Sequence, residues 1–323
     1  MKPRTIALRL VKTALTVIAV VVLSFFLIRL APGDAATVMA GQSGYADEAF
    51  IKSLRAEYGL DQPLPVQFWK YVRAVGHGDL GTSYVRRQPV LTVIMERLPN
   101  TLLLDAFALV VAIMGGVWLG GLAARRPGSA GDTAVSVLAM LFYAVPQFWL
   151  GMMMVLLFAV WLAVLPPFGI ETMGADYTGL ARIGDVARHM IRPGVTLALY
   201  YMASYARLTR AAMIEVSEQD FVKTARAKGI SERQVLRHHV LRNALIPLVT
   251  YAGLQASLLV GGSVLIENVF SWPGVGTLAY DAVQARDNPL LLGIFIVTAI
   301  LVSLFNLVTD IAYGVVDPRV EVG

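Results

Sequence analysis

Long uncharged stretches alternate with polar segments along this chain of 323 residues. A helix needs about 20 apolar residues to cross the hydrocarbon core of a bilayer. The stretches that reach or approach this length predict membrane helices at 13–28, 106–124, 133–170, about 190–211, 243–266 and 288–309. The pattern therefore predicts an all-α integral membrane protein with six transmembrane helices.

Two of these stretches depart from a simple span. As one straight helix, 133–170 would be about 57 Å long, well beyond a hydrocarbon core of about 30 Å. Pro146 lies inside it, so we expect one span that ends before Pro166 and is kinked or broken near Pro146. Whether the break makes a re-entrant segment stays open. The fourth span contains Arg207 and Arg210, which must lie at an interface or face protein.

The distribution of Lys and Arg predicts the orientation, because short loops rich in these residues stay in the cytoplasm. An inside N-terminus places most Lys and Arg residues near span ends on the cytoplasmic side. The first outer loop is also charged, but long loops cross largely regardless of charge. Both termini are therefore predicted to be cytoplasmic. The predicted inner segments are 2–12, 125–132, 207–242 and the tail from 310, and the outer loops are 30–104, 171–192 and 267–287.

Composition agrees with a membrane protein. Charged residues make up 15% of the chain, against about 25% in soluble domains, and the mean hydropathy is +0.65. The net charge of +5 follows from basic inner loops and does not require nucleic acid. With no cysteine in the chain, thiolate chemistry is excluded. The Met1-Lys2-Pro3-Arg4 start resembles a signal peptide, but no clean cleavage site follows, so we expect an uncleaved first helix.

No catalytic or nucleotide-binding motif occurs in the sequence. A P-loop requires a Gly-Lys pair, and the chain contains none. Zinc-protease and nucleophile-elbow motifs are also missing, and the adjacent His238 and His239 diverge on a helix and cannot share one metal ion. We therefore predict a non-catalytic chain without its own cofactor or metal.

The segment 219–247 is polar and basic between hydrophobic stretches, with Lys or Arg at 223, 226, 228, 233, 237 and 242. Ser217 is a candidate N-cap for a first helix, and Gly229 is a candidate stop. Ser231 and Gln234 match a capping box for a second helix. Small residues at 225, 227 and 229 would allow another protein to approach closely. The prediction is two short helices joined at a glycine.

This segment resembles the EAA loop of ABC importer permeases. The pattern D-F-V-K-T-A-R-A-K-G-I-S, followed by L-R-N-A-L-I-P, is similar to the dipeptide, oligopeptide and nickel branch, although the name-giving E-A-A reads Lys223-Thr224-Ala225 here. Further stretches in matching order are G-D-L-G-T-S-Y (78–84), E-R-L-P-N-T-L (96–102), V-P-Q-F-W-L-G (145–151), E-N-V-F-S-W-P-G-V-G (267–276) and D-P-R (317–319). Their common order identifies a binding-protein-dependent transport system inner-membrane component, most similar to the B-type permease subunit.

The resemblance implies an ABC type I importer permease fold and a division of labour among several chains. A second permease would form a heterodimer with this one, two cytoplasmic ATPase subunits would hold ATP and Mg²⁺, and an extracytoplasmic solute-binding protein would deliver substrate. The EAA loop would be the coupling helix that docks on an ATPase. The residues implied in this coupling are Asp220, Ala225, Ala227, Gly229 and Ile230.

The resemblance also gives a domain plan and a location. The plan is a first transmembrane helix (1–30), an extracytoplasmic segment (31–96), a permease core (97–313) that contains the coupling loop (214–243), and a cytoplasmic tail (314–323). The location is the bacterial inner membrane. Di- or oligopeptides are the expected cargo, with nickel chelates, glutathione or opines as alternatives, and a secondary carrier or channel as the alternative class.

Three weaker signals complete the sequence analysis. Irregular backbone at membrane depth is tolerated beside a water-filled cavity, so we expect the break to border the translocation path; the residues concerned are Pro146, Gln147, Phe148 and Trp149. The G-x-x-x-G spacing at 116–120 favours close internal helix packing. Asp105, Glu267 and Asp310 flank hydrophobic stretches and are interpreted as interface anchors or partners of an arginine, rather than as an ion relay.

Overall fold

The computed structural model describes residues 3–30, 36–37, 40, 47–57 and 59–316. Across this part of the chain the regular structure is helical, and the one β-bridge found there joins Thr82 to Pro89. The helices are α1 (Pro3–Leu30), α2 (Glu48–Glu57), α3 (Leu64–Gly76), α4 (Val90–Ala124), α5 (Ala130–Ala144), α6 (Gln147–Val155, extended by a π-helical turn Leu156–Trp161), α7 (Gly179–Ser217), α8 (Asp220–Ala227), α9 (Glu232–Gln234, extended by a π-helical segment Val235–Leu241), α10 (Arg242–Gly262), α11 (Val264–Phe270), α12 (Val275–Gln284) and α13 (Asn288–Val316).

Each predicted span coincides with helix, but several helices exceed their apolar stretch. Helix α4 begins at Val90, well before the predicted start at 106, and includes Pro99. Helix α7 runs from Gly179, before the predicted 190. The prediction started each span after the last charge, whereas a helix continues wherever its backbone hydrogen bonds continue. Asp105 therefore lies inside α4, and the prediction that it flanks the helical stretch was wrong.

The fifth predicted span, 243–266, is divided. Helix α10 ends at Gly262, and α11 starts at Val264. Ser263 lies between the two helices, and the residues before it are both glycines, which weaken a helix interior.

Length and hydropathy support fewer spans than the six predicted. Among the described residues, α4 and the 288–309 part of α13 are long and apolar enough to cross a bilayer, with α5 and α6 together as a third candidate. The apolar part of α1, Val11–Leu27, is shorter than the others. Helix α7 carries charged residues on both sides of its uncharged middle part, 193–206, which lowers its mean hydropathy.

The break predicted near Pro146 is confirmed. Helix α5 ends at Ala144, α6 starts at Gln147, and the two helices meet at 100°. Pro146 is the N-cap of α6, a position that suits a residue without an N–H group. The helical part of this stretch ends at Trp161, before Pro166, as predicted.

The chain forms two compact units, of which the first comprises residues 1–99 and 274–304. In this unit α1 packs on α3 through aromatic rings: the Phe25 centroid lies 5.1 Å from that of Phe68 and 5.7 Å from that of Tyr71. The 31–96 segment contains α2 and α3, and Gly59, which lies between them, has a φ of +61°.

Asp287 organises the loops of the first unit. Its buried carboxylate accepts hydrogen bonds from the hydroxyl of Ser83 and from the N–H groups of Tyr84 and Val85, the latter two at 3.2 Å. It also accepts from the N–H of Leu290 at 3.4 Å, as an N-cap of α13 does. This side chain explains why the G-D-L-G-T-S-Y stretch takes a defined shape at the start of α13.

The second unit comprises residues 100–273 and 305–323, and the close approach of α4 and α7 lies at its centre. A Cβ added at Gly116 would lie 3.0 Å from the carbonyl oxygen of Met202, and one at Gly120 would lie 2.7 Å from Cβ of Thr209. The G-x-x-x-G spacing thus serves packing inside the chain, as predicted, because only glycine leaves room for the facing backbone.

Helix α5 joins α7 by polar and aromatic contacts. Arg210 forms a bidentate pair with Asp132, with Nε–Oδ1 and Nη2–Oδ2 distances of 2.5 and 2.7 Å. The guanidinium of Arg207 lies 4.7 Å from the ring centroid of Tyr143, which stacks on Tyr200 at 5.3 Å. Both arginines of the fourth predicted span therefore face protein, as expected from the cost of placing a charge in lipid.

We expect Gly120→Ala to destabilise the protein, because the added methyl group would collide with backbone and Thr209 of α7. Overpacking of this kind costs about 1–3 kcal/mol. Gly121→Ala is the matched control, since its Cβ would meet nothing closer than Sδ of Met213 at 3.7 Å. Thermal unfolding of both variants in detergent would measure the effect, and equal melting temperatures would contradict the close α4–α7 packing.

Candidate functional site

The basic segment forms two helices joined at a glycine, as predicted. Helix α8 spans Asp220–Ala227, and the second helix begins at Glu232 and continues into α10. Gly229 has a φ of +78°, a conformation that costs glycine little and other residues more. We keep the name that the resemblance gives, coupling loop, for residues 218–234, the part of the 214–243 segment between α7 and the π-helical segment.

The predicted cap at Ser217 is wrong, whereas Ser231 is the N-cap of α9 as predicted but lacks the hydrogen bonds of a capping box. Ser217 is the last residue of α7, where its hydroxyl donates to the carbonyl of Met213 at 2.7 Å, and Gln219 is the N-cap of α8. The hydroxyl of Ser231 donates to the side-chain oxygen of Gln234 at 2.9 Å rather than accepting a backbone N–H group. Ser217 cannot cap α8 because α7 continues through it, and the hydroxyl of Ser231 has the side chain of Gln234 as an alternative partner.

One face of α8 is anchored inside the second unit. Val222 is fully buried and Ala225 is 5% exposed, and both belong to an apolar cluster. Burial of a valine side chain contributes about 1.5–3 kcal/mol, which holds α8 against the chain. The other buried members are Ala124, Ala212, Met213, Val216, Val235, Val240, Ala244 and Leu248.

The remaining sequence-predicted residues lie at the surface of the coupling loop. Asp220, Ala227 and Gly229 are exposed, and Ile230 is partly buried against the apolar cluster. Sequence reasoning missed Phe221, whose ring is 42% exposed on α8. The available signal was its position beside Val222: adjacent apolar residues on a short helix cannot both face the interior.

Arg226 ties the parts of the coupling loop together. Its guanidinium donates to both carboxylate oxygens of Glu232, at 2.8 and 3.1 Å, and to the carbonyl of Ser217 at 3.3 Å. Hydrogen bonds from Arg226 lower the pKa of Glu232. The ion pair therefore stabilises the folded protein above about pH 4.3, the pKa of a glutamate in the unfolded chain. This stabilisation is lost as the pH falls through the lower pKa of Glu232 in the folded protein. The ion pair of Arg226 with Glu232 is therefore fully formed at neutral pH.

The residues predicted to border a translocation path lie at the start of α6. Pro146 is exposed, Gln147 is partly buried, and Phe148 and Trp149 are 45% and 46% exposed. Gly151 faces the interior of the second unit, where a Cβ would lie 3.2 Å from the ring of Phe270 and from Val269. The break thus presents two aromatic rings outward while the next turn of α6 packs on α11.

Two motifs that lie far apart in sequence meet inside the second unit. The indole N–H of Trp272 donates to the carbonyl of Asn100 at 3.0 Å, and the amide of Asn100 donates to the carbonyl of Pro273 at 2.8 Å. At the next residue of α4, the hydroxyl of Thr101 donates to Oε1 of Glu267 at 2.7 Å. The E-R-L-P-N-T-L and E-N-V-F-S-W-P-G-V-G stretches are therefore one structural element.

The fold and this site define a helical membrane subunit with an ordered, exposed loop, and comparison with known proteins gives its family. The profile described as "Binding-protein-dependent transport system inner membrane component" matches residues 116–322, and the N-terminal profile of the same component matches residues 3–105. The chain belongs to this family of transport permeases, as the sequence patterns indicated.

Among its relatives, the chain is 40% identical over 307 residues to the oligopeptide transport system permease protein AppB of Bacillus subtilis (strain 168), covering 94% of this chain and 95% of the relative. It is 38% identical over 323 residues to the dipeptide transport system permease protein DppB of Escherichia coli (strain K12), with 95% of each chain covered. A chain of the inward-facing MetNI methionine ABC transporter superposes with a TM-score of 0.57 at 20% identity, covering 70% of this chain and 96% of that one. This last similarity shows the fold alone.

We expect Arg226→Gln to destabilise the coupling loop, because the hydrogen bonds of the guanidinium to Glu232 and to the carbonyl of Ser217 would be lost. A pair this exposed is worth at most about 1 kcal/mol, so amide exchange of residues 218–234 should accelerate by up to about fivefold. Lys223→Gln is the control, since Lys223 pairs only with the fully exposed Asp220 one turn away. Hydrogen–deuterium exchange measures both variants. Identical exchange rates would contradict a stabilising role of the Arg226 hydrogen bonds.

Proposed function

We propose that this chain is a permease subunit of an ATP-driven importer of di- or oligopeptides in the bacterial inner membrane. Family membership supports the transport role, and the names of AppB and DppB support peptide as cargo. A second permease would complete the translocation path, and an extracytoplasmic solute-binding protein would deliver the peptide. ATP and Mg²⁺ would bind the ATPase partners, since this sequence contains no P-loop.

The proposed topology has six spans with both termini in the cytoplasm. The spans are those of α1, α4, the bent α5–α6 pair, α7, α10 and α13, and the clustering of Lys and Arg in the proposed inner loops supports this orientation. The proposed divisions are a first span (1–30), an extracytoplasmic segment (31–96), a permease core (97–313) with its coupling segment at 214–243, and a cytoplasmic tail (314–323).

The observation that carries the coupling role is the two-sided character of α8. Val222 and Ala225 fix the helix to the apolar cluster, while Phe221 and Asp220 remain exposed. A short helix held in this way transmits a push from a docked partner to α7 and α10, which share the same cluster. An exposed aromatic ring on such a helix suits an apolar pocket on the ATPase.

The other predicted coupling residues take distinct roles in this proposal. Ala225 would act through packing inside the chain, whereas Ala227 and Gly229 would keep the outer surface low enough for close docking. Ile230 would link the turn to the apolar cluster. The basic side chains of the loop would pair with acidic groups of the ATPase. Such pairs raise the association rate and orient the partners more than they raise the affinity.

The path is proposed to run beside the α5–α6 break. A broken helix at membrane depth needs protein or water beside it to satisfy its backbone groups. Pro146 and Gln147 supply the break, and the exposed rings of Phe148 and Trp149 would face the second permease or the path.

Because the chain has no cysteine, single-cysteine labelling can test the topology in an otherwise native sequence. Lys228→Cys lies in the coupling loop, and Met173→Cys replaces a side chain that is 98% exposed in a proposed outer loop. With a membrane-impermeant maleimide on intact spheroplasts, position 173 should label and position 228 should label only after permeabilisation. Labelling of position 228 from outside would refute the orientation.

We expect Phe221→Ala to weaken the ATPase contact by about thirtyfold or more, since loss of a buried interface anchor typically costs about 2 kcal/mol or more. Peptide uptake into vesicles and co-purification of the ATPase should fall together, with membrane insertion unchanged. Phe50→Ala is the matched control, because its ring is similarly exposed, at 39%, in the proposed extracytoplasmic segment. Full uptake by Phe221→Ala would count against α8 as the docking helix.

A further inference from the structure

Arg207 of α7 is an exposed charged residue of the second unit, and it lies within a proposed span. The part of α7 before it, 193–206, is uncharged. The guanidinium of Arg207 lies 4.7 Å from the ring centroid of Tyr143 near the end of α5, whereas Arg210 binds Asp132 near the start of that helix. At 1.5 Å per residue, Asp132 and Tyr143 are about 16 Å apart along α5. The side chain of Arg207 therefore points toward the middle of the proposed span, as helical side chains lean toward the N-terminus of their helix.

The described part of the chain supplies no counter-ion for this guanidinium. Within these residues, no carboxylate or carbonyl binds Arg207, and its contact is with the ring of Tyr143. Asp132 is the only acid in the sequence of α5 and α6, and both of its carboxylate oxygens bind Arg210. Helix α10, which also packs on α7, contains no acid. Because an unpaired charge at membrane depth is costly against lipid, the guanidinium is suited to an anion from outside the chain.

Aromatic rings lie beside the guanidinium and continue across the helix break. The ring of Tyr143 is 46% exposed and stacks on Tyr200, with centroids 5.3 Å apart. The break between α5 and α6 follows directly after Tyr143, and the rings of Phe148 and Trp149 beyond it are also exposed. Sites for small molecules have this composition, in which a few polar groups fix the orientation of the ligand and apolar rings contact the rest of it.

We propose that Arg207, with Tyr143 and Tyr200, binds the C-terminal carboxylate of a peptide in the translocation path, an inference that rests on the proposed function. A guanidinium binds a carboxylate through two parallel N–H···O bonds, and the contact with Tyr143 occupies none of these N–H groups. Every unmodified peptide ends in a carboxylate, whatever its side chains are. The open rings beside the guanidinium favour this occupant over an acid of the second permease, which would need the charge alone.

A single cysteine can probe the site, because the native chain has none. Ser204 lies on the same face of α7 as Tyr200 and Arg207. In the assembled importer in detergent, Ser204→Cys should react with methanethiosulfonates, and faster with the anionic sulfonatoethyl than with the cationic trimethylammonioethyl reagent. Adding Arg207→Gln should lower the ratio of these two rates by about tenfold. Arg207→Lys is the matched control, which keeps the charge and should keep the ratio.

Protection by a peptide identifies the group that binds. Dialanine should slow the anionic labelling of Ser204→Cys, and dialanine amide, which lacks the carboxylate, should need about a tenfold higher concentration for the same effect. Arg207→Gln should remove this difference. The binding protein is omitted from this measurement, so that only the membrane complex discriminates between the two peptides. Tyr143→Cys reports on the same guanidinium from α5 if Ser204→Cys does not assemble.

The remaining outcomes overturn the site. If neither reagent labels the cysteine, with or without ATP, the second permease or lipid covers the guanidinium. Equal protection by the peptide and its amide excludes carboxylate binding, and no protection by either excludes the peptide.

Uptake of dialanine and tetra-alanine by the native importer, with its binding protein in proteoliposomes, tests the proposed function separately. Absence of uptake overturns that function. Uptake without protection of the cysteine overturns the carboxylate site alone.

Discussion

The close approach of α4 and α7 at Gly116 and Gly120 is the constraint on which the second unit depends. These glycines bring two backbones together, so that α7 can present its other sides to α5 and α10. In lipid, helix association gains no hydrophobic free energy, so close packing of small residues must stabilise it instead. The charged residues of α7 are acceptable because this arrangement turns Arg207 and Arg210 toward protein partners.

The same helix α7 connects the buried centre with the coupling loop. Its last turns share an apolar cluster with Val222 and Ala225 of α8, and Arg226 reaches back to the carbonyl of Ser217. Force on the outer face of α8 would therefore reach α7 through buried side chains. Farther along α7, the guanidinium of Arg192 lies over the ring of Phe270. Helix packing and the attachment of α8 thus involve different parts of one helix.

The sequence predicted the kinds of element better than their ends. Uncharged stretches located a helix at every predicted span, because apolar length is a local property. The break at Pro146 and the turn at Gly229 were also predicted, since proline and glycine impose their conformations locally. The predicted helix ends were wrong where a helix includes charged residues, as α4 includes Asp105. The cap at Ser217 was wrong, and Ser231 is the N-cap of α9 without the predicted capping-box bonds, because a serine hydroxyl can bind several nearby partners.

The sequence by itself determined the family, the helical class, the broken helix at Pro146 and the two helices joined at Gly229, because these are encoded in short runs of residues and in their order. Tertiary structure decided which side chains are buried. It turned Ala225 inward and left Phe221 exposed, since the facing cluster selects one side of α8. It also joined Asn100 to Trp272 and Thr101 to Glu267. Contacts between positions so distant in sequence depend on how helices pack, and no local pattern reports them.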